Sequence, residues 1–77
     1  MLKVAVFGAT GKQGSSVVRA LSQNGEFHVK AVTRNPDSDK AKPLSSLSNV
    51  TVHKADLNDP SSVDQVLNGC QAAFFGN

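Results

Sequence analysis

From Val4 to Gly14 the chain reads Val-Ala-Val-Phe-Gly-Ala-Thr-Gly-Lys-Gln-Gly, an apolar run that meets glycine at every third position, 8, 11 and 14. Such a nearly continuous apolar run predicts a parallel strand covered on both faces, here about Lys3 to Phe7. Val17, Val18 and Leu21 then recur at helical spacing. A strand that passes through a glycine turn into a helix predicts a βαβ unit. It also predicts an anion cradle, because a helix N-terminus carries unpaired N–H donors and the positive end of a dipole. In this reading Gly8 permits the sharp turn off the strand and Gly11 removes a Cβ where phosphates sit. Gly14 lets the helix pack closely on the strand. Ala9, Thr10, Lys12 and Gln13 complete the loop.

The spacing is G-x-x-G-x-x-G and departs from the G-x-G-x-x-G of the standard dinucleotide fingerprint. Spacing alone would also suit a tight turn with no ligand; the strand before it and the helix after it favour a dinucleotide diphosphate. The nucleoside-triphosphatase loop G-x-x-x-x-G-K-[ST] does not fit. Its first glycine would fall at Val6, and the residue after Lys12 is Gln13, which has no hydroxyl for Mg²⁺.

The chain has 77 residues, enough for one small domain that buries only about 60% of the unfolded surface. No apolar run is long enough to span a bilayer, so no membrane role is expected. The chain enters its first strand with no charged leader, which predicts a soluble, unprocessed protein. The single cysteine, Cys70, and two histidines at unrelated spacing make no disulfide and no zinc pattern. No metal ligand is assigned, and a reducing compartment is expected, the cytoplasm first and the nucleus second. The net charge is +2 and the pI about 9.0, yet the basic residues are scattered. Phe7, Phe27, Phe74 and Phe75 fall in strand-like runs, as core residues would. Direct nucleic-acid binding is not expected.

The first helix is predicted from about Gly11 or Lys12 to Gln23, with Asn24-Gly25 as a left-handed stop. A second strand follows over Phe27 to Thr33, parallel to the first. Where it ends, roughly twenty residues past the glycine turn, the dinucleotide fold keeps the residue that reads the adenosine ribose. An acid there favours NAD. This chain has Thr33-Arg34-Asn35-Pro36, and a guanidinium can hold a 2′-phosphate by charge-assisted bonds, which favours NADP. The plainer alternative is an exposed arginine at a strand end.

Residues 36–49 are polar and interrupted by Pro43, predicting a loop with a short, poorly packed helix around Ser38 to Leu47. Lys40 and Lys42 could swing toward a 2′-phosphate or simply be solvated. Val50 to Ala55 reads as a third strand, with His53, like His28, expected to face solvent or a helix. Asp56-Leu57 leaves that strand where ligands sit in doubly wound sheets. Asp56 could accept from an adenine amino group while Leu57 covers the ring, or the segment could be turn chemistry alone. Asp59-Pro60 opens a last helix bearing Val63, Val66 and Leu67, with Gly69 closing it. Gln71 to Phe75 should form a final strand beside the first. The expected architecture is a partial doubly wound, Rossmann-type parallel α/β sheet of about four strands in the order 3-2-1-4, flanked by helices. The final strand would leave an unpaired edge, to be covered by a protein partner, a second copy or further chain.

The opening Gly-Ala-Thr-Gly-Lys-Gln-Gly, the Thr-Arg-Asn-Pro segment and Ala-Asp-Leu-Asn-Asp, in this order and spacing, resemble the amino-terminal part of the NmrA-like family. These are atypical members of the short-chain dehydrogenase/reductase superfamily. The resemblance covers essentially all 77 residues and implies an amino-terminal portion of a larger NAD(P)-binding domain. It implies NADP(H) as the cofactor. Gly8 to Gln13 would hold the pyrophosphate, Arg34, Asn35 and the turn to Ser38 the 2′-phosphate, Asp56 and Leu57 the adenine. Phe75 to Asn77 would lie by the nicotinamide ribose. Family members include NADPH/NADP⁺ sensors that act through protein partners and reductase-like enzymes. The superfamily's enzymes draw a Tyr-x-x-x-Lys pair from later in the chain. These 77 residues contain no tyrosine, so no catalytic residue is assigned and enzyme activity is left undecided. The three expectations are a redox sensor, the cofactor portion of a reductase, and a non-binding remnant kept for protein contacts.

Overall fold

The computed structural model describes residues 2–76. The elements in chain order are β1 (Leu2–Phe7), α1 (Lys12–Gln23), β2 (Phe27–Thr33), α2 (Lys42–Ser45), β3 (Val50–Lys54), α3 (Pro60–Leu67) and β4 (Ala72–Phe75). The four strands form one parallel sheet in the order β3-β2-β1-β4, as expected. Val4 is opposite both Val29 and Ala72, and Val29 is opposite Val50.

Strand side chains alternate between faces, so β1 and β2 each feed two cores. Val4, Val6, Val29, Ala31 and Val50 pack with Ala9, Val18 of α1 and Leu44 of α2. On the other face Ala5, Phe7, Val32 and Ala55 pack with Val66 of α3. Parallel crossovers are right-handed. Steps from β1 to β2 to β3 therefore put α1 and α2 on one face. The jump from β3 back past β1 to β4 puts α3 on the other. That reversal opens a crevice at the carboxyl ends of β1 and β4, the place where doubly wound sheets take ligands.

Several local expectations are corrected. The helix near Ser38–Leu47 is a single turn, and it is not poorly packed: Ala41 is fully buried and Leu44 is 1% exposed. Neither residue of the Asn24-Gly25 stop is left-handed: the Asn24 backbone is extended, and its side-chain oxygen accepts the Glu26 N–H at 3.1 Å. Asp59 stands at the α3 N-cap with Pro60 behind it, but its carboxylate accepts from the Ser61 hydroxyl instead of capping the helix. Of the four phenylalanines only Phe7 is fully buried; Phe27 is partly covered, Phe74 is 37% exposed and Phe75 56%. β4 is exposed along its length. Phe75 stacks flat on Phe7, ring centroids 4.7 Å apart and planes 9° from parallel. No helix among the described residues is long and apolar enough to cross a membrane.

Candidate functional site

The glycine turn is built from backbone contacts that side chains would forbid. Gly8 has a φ of 72°, a left-handed conformation that lets the chain turn off β1. A Cβ on Gly8 would also lie 2.6 Å from the Gly76 carbonyl oxygen. A Cβ on Gly14 would run into the Gly8 carbonyl. Gly76 lies just past β4 and donates its N–H to the Phe7 carbonyl at 3.0 Å, which holds the end of β4 against the turn. Gly8, Gly14 and Gly76 thus bring three backbone segments together at the carboxyl ends of β1 and β4.

Gly11 is the N-cap of α1, with extended backbone (φ −77°, ψ 170°) and no side chain to cap the helix. The first turn of α1 holds no acid. The orphan N–H donors of a helix start therefore meet no acceptor from the helix's own side chains, and the dipole favours an anion there.

A cleft of about 690 Å³ opens over this turn, within the range of small-molecule sites. Gly8, Thr10 and Gly11 line it from the turn and Phe7 and Gly76 from the strand ends. Arg34, Asn35, Ser38 and Lys40 contribute from the segment after β2, and Asp56, Leu57 and Asn58 from the segment after β3. Eight of the expected site residues thus share one cleft: Gly8, Thr10, Gly11, Arg34, Asn35, Ser38, Asp56 and Leu57. Ala9 is fully buried and belongs to the core. Gly14 is buried beneath the turn, and Lys12 and Gln13 are exposed on the first turn of α1; none of the three lines the cleft. Asn77 lies outside the described residues.

Both lateral walls are held by side chains that satisfy their own backbone. Asn35 Oδ1 accepts the Asp37 N–H at 3.3 Å and the Asn35 carbonyl accepts the Ser38 N–H at 3.1 Å. The Thr33 hydroxyl oxygen accepts the Asn35 N–H at 3.2 Å. Asp56 Oδ1 accepts the Asn58 N–H at 2.9 Å, and the Ser62 hydroxyl oxygen accepts the Asp56 N–H at 3.1 Å. These short loops keep Arg34 at one wall and Leu57, 60% exposed, at the other. Turn chemistry at Asp56 and availability to a ligand are compatible, since a carboxylate has a second oxygen. Sequence reasoning did not assign Thr33 or Asn58 to the site; Lys40 entered it only as a cation that could swing toward a 2′-phosphate, and Gly76 only within the segment expected by the nicotinamide ribose. The Ser/Thr turn at the end of β2 was the available signal for Thr33.

His28 and His53 lie away from the cleft. Thr51 Oγ1 sits 3.2 Å from His28 Nε2 and 2.8 Å from His53 Nε2, so its hydroxyl can donate to one ring and accept from the other. Burial lowers the His53 pKa below its ordinary 6.5, helped by the positive charge of Lys30 and by His28. Lys30 Nζ donates to the Val66 and Asn68 carbonyls at 3.0 and 3.2 Å, closing the C-terminal end of α3.

The model of the NmrA-like family matches residues 2–76. The chain belongs to this family. Among curated relatives it is 45% identical over 71 residues to the NmrA-like family domain-containing oxidoreductase himF of Aspergillus japonicus, covering 92% of this chain and 21% of that protein. It is 42% identical over 74 residues to an NmrA-like family domain-containing protein of Dictyostelium discoideum, 95% of this chain and 24% of that one. The chain thus spans about a fifth to a quarter of these relatives' length. A crystal structure of NmrA, a negative transcriptional regulator, in complex with NADP superposes with a TM-score of 0.86 at 30% identity, covering 99% of this chain and 24% of that one. The same regulator in complex with NAD gives 0.85, also at 30% identity and the same coverage. Vestitone reductase from alfalfa gives 0.79 at 31% identity, over 95% of this chain and 24% of that one. This NmrA-like chain is therefore related to NAD(P)-binding proteins and to oxidoreductases.

Proposed function

We propose that this NmrA-like chain binds NADP(H) in the cleft at the carboxyl ends of β1 and β4 and acts as a redox sensor read by a protein partner. The observation that carries the reading is one cleft joining a glycine turn at an uncapped helix N-terminus to a wall bearing Arg34. The residues fit the cofactor. The N–H groups around Gly11 and the first turn of α1 would take the diphosphate. Arg34, with Asn35 and Ser38, would take the 2′-phosphate; Asp56 would accept from the adenine amino group while Leu57 covers the ring. Relatives crystallised with NAD and with NADP support a nicotinamide dinucleotide, and Arg34 argues for the phosphorylated form.

In the sensor reading, the Arg34–Ser38 wall orders around the phosphate. A partner then responds to the difference in affinity between the two states. The second reading, the cofactor portion of an NADPH-dependent reductase, is favoured by relatives named oxidoreductases. When bound, the nicotinamide supplies a hydride. No tyrosine in these 77 residues can protonate an acceptor beside it.

The test is calorimetric titration of NADP⁺ and NAD⁺ into the chain and into Arg34→Ala. Losing a charge-assisted bidentate contact costs about 1.5–3 kcal/mol, roughly tenfold to a hundredfold in NADP⁺ affinity, while NAD⁺ affinity stays near its starting value. Equal loss for both cofactors would remove the selectivity argument.

A further inference from the structure

We propose that Lys40 is a second specificity-determining cation of the same wall, acting with Arg34 to select a dinucleotide carrying a phosphate on its adenosine ribose. The inference rests on the dinucleotide reading above and adds a residue to it.

The chemistry calls for two positive groups. A phosphate monoester carries about −1.5 to −2 charges at neutral pH, because its second pKa is near 6. One guanidinium leaves much of that charge uncompensated. From the end of β2 to the first residue of α2 the chain offers three lysine or arginine side chains, Arg34, Lys40 and Lys42, and the fold sorts them. Arg34 and Lys40 both line the cleft, whereas Lys42 does not. Lys42 Nζ lies 3.8 Å from Asp39 in an exposed pair. No ion pair or hydrogen bond engages the Lys40 ammonium among the described residues.

The backbone explains the sorting. Ser38 N–H returns to the Asn35 carbonyl, and the Ser38 carbonyl accepts both the Ala41 and Lys42 N–H groups at 3.1 and 3.2 Å. The Ser38 hydroxyl oxygen accepts from Ala41 N–H as well, at 3.3 Å. Ala41 is fully buried, so the residue before it is held at the cleft rim while Asp39 and Lys42 pair outside. The acids of this segment, Asp37 and Asp39, are absent from the lining. The one acid that does line the cleft, Asp56, comes from the opposite wall after β3. The wall after β2 therefore presents two cations and no acid, and a lysine there acts as a point charge on phosphate. A ribose 2′-hydroxyl gains little from either, so the effect of Lys40 is on selectivity.

The experiment is titration of NADP⁺ and NAD⁺ into the full chain and its Lys40→Ala, Lys40→Arg and Lys42→Ala variants, at low and high salt. Lys40→Ala is expected to weaken NADP⁺ by about threefold to tenfold, with NAD⁺ changed by less than about twofold, and high salt should shrink the difference. Lys40→Arg should retain the preference. Lys42→Ala should change neither affinity. Wild-type chain that binds neither cofactor would sink the dinucleotide reading, and this inference with it. Wild-type chain that prefers NADP⁺ while Lys40→Ala keeps the full preference would overturn the inference alone. So would a loss in Lys42→Ala equal to that in Lys40→Ala, which would reduce the effect to unspecific charge.

Discussion

Replacing Gly14 with alanine perturbs the contact that seats α1 on β1, and its cost can be worked from the backbone. A Cβ at this position would run into the Gly8 carbonyl oxygen, with the Gly8 carbonyl carbon at 2.7 Å and Ala9 Cα at 3.0 Å. All three are main-chain atoms, so no side chain can swing aside and the start of α1 must move off the sheet. Such overpacking costs typically 1–3 kcal/mol, and a rigid backbone obstacle argues for the upper end. Against it stands the gain of about 1 kcal/mol from replacing glycine by alanine in a helix. The net expectation is a loss of about 2 kcal/mol, or a fall of roughly 8–16 °C in melting temperature for a domain of this size. Gly25→Ala is the matched control, since a Cβ there meets nothing within 4 Å and the φ is not left-handed. It should leave stability unchanged or raise it by up to about 1 kcal/mol through the unfolded chain. Urea unfolding followed by circular dichroism reads both. A Gly14→Ala variant as stable as Gly25→Ala would refute the close-packing role of the third glycine.

Leu44→Ala should destabilise by about 2–5 kcal/mol, because the single turn of α2 buries this side chain almost completely; a loss below about 1 kcal/mol in the same unfolding assay would mean that α2 does not anchor the wall bearing Lys40. Stability should also fall as pH drops below 6.5. Burial, Lys30 and His28 hold the folded His53 pKa below that ordinary value, so the unfolded chain takes up a proton that the folded chain resists. The neutral form's contribution is complete above pH 6.5 and is lost as pH falls toward the folded pKa. An NMR titration placing His53 at or above 6.5 would contradict this, and Lys30→Met should raise its pKa.

The architecture was legible because the strongest signals were long and mutually consistent. The apolar run into three spaced glycines, the helical spacing of Val17, Val18 and Leu21 and the Asp-Pro start of α3 all agree with one parallel sheet. What sequence reasoning misjudged is short-range. A one-turn helix offers no full hydrophobic period, so Ala41 and Leu44 were hidden among serines and lysines although both are buried. Asn24 looked like a left-handed stop, but its side chain finds the Glu26 N–H and the turn forms without a positive φ. Among the described residues the left-handed non-glycine residue is Asn49, just before β3. In β4, Phe74 and Phe75 read as core residues. Burial depends on what covers a strand, and among the described residues β4 pairs with β1 on one side only.

For the site, residue types alone could nominate Gly8, Arg34 and Asp56 but not join them. Topology joins them: parallel strands all end on the same edge, so segments leaving β1, β2 and β3 converge wherever the order reverses. The same reversal draws the end of β4 onto the turn. A Cβ on Gly76 would lie 3.1 Å from the Gly14 nitrogen, so the end of the returning strand is constrained by the third glycine of the motif, just as that glycine is constrained by the turn at Gly8. The glycine spacing is thus a packing requirement of the sheet as much as a requirement of any bound phosphate. A chain could keep it for the fold alone, which is why the weight of the functional reading falls on Arg34 and Lys40, which line the cleft and which the packed core does not require.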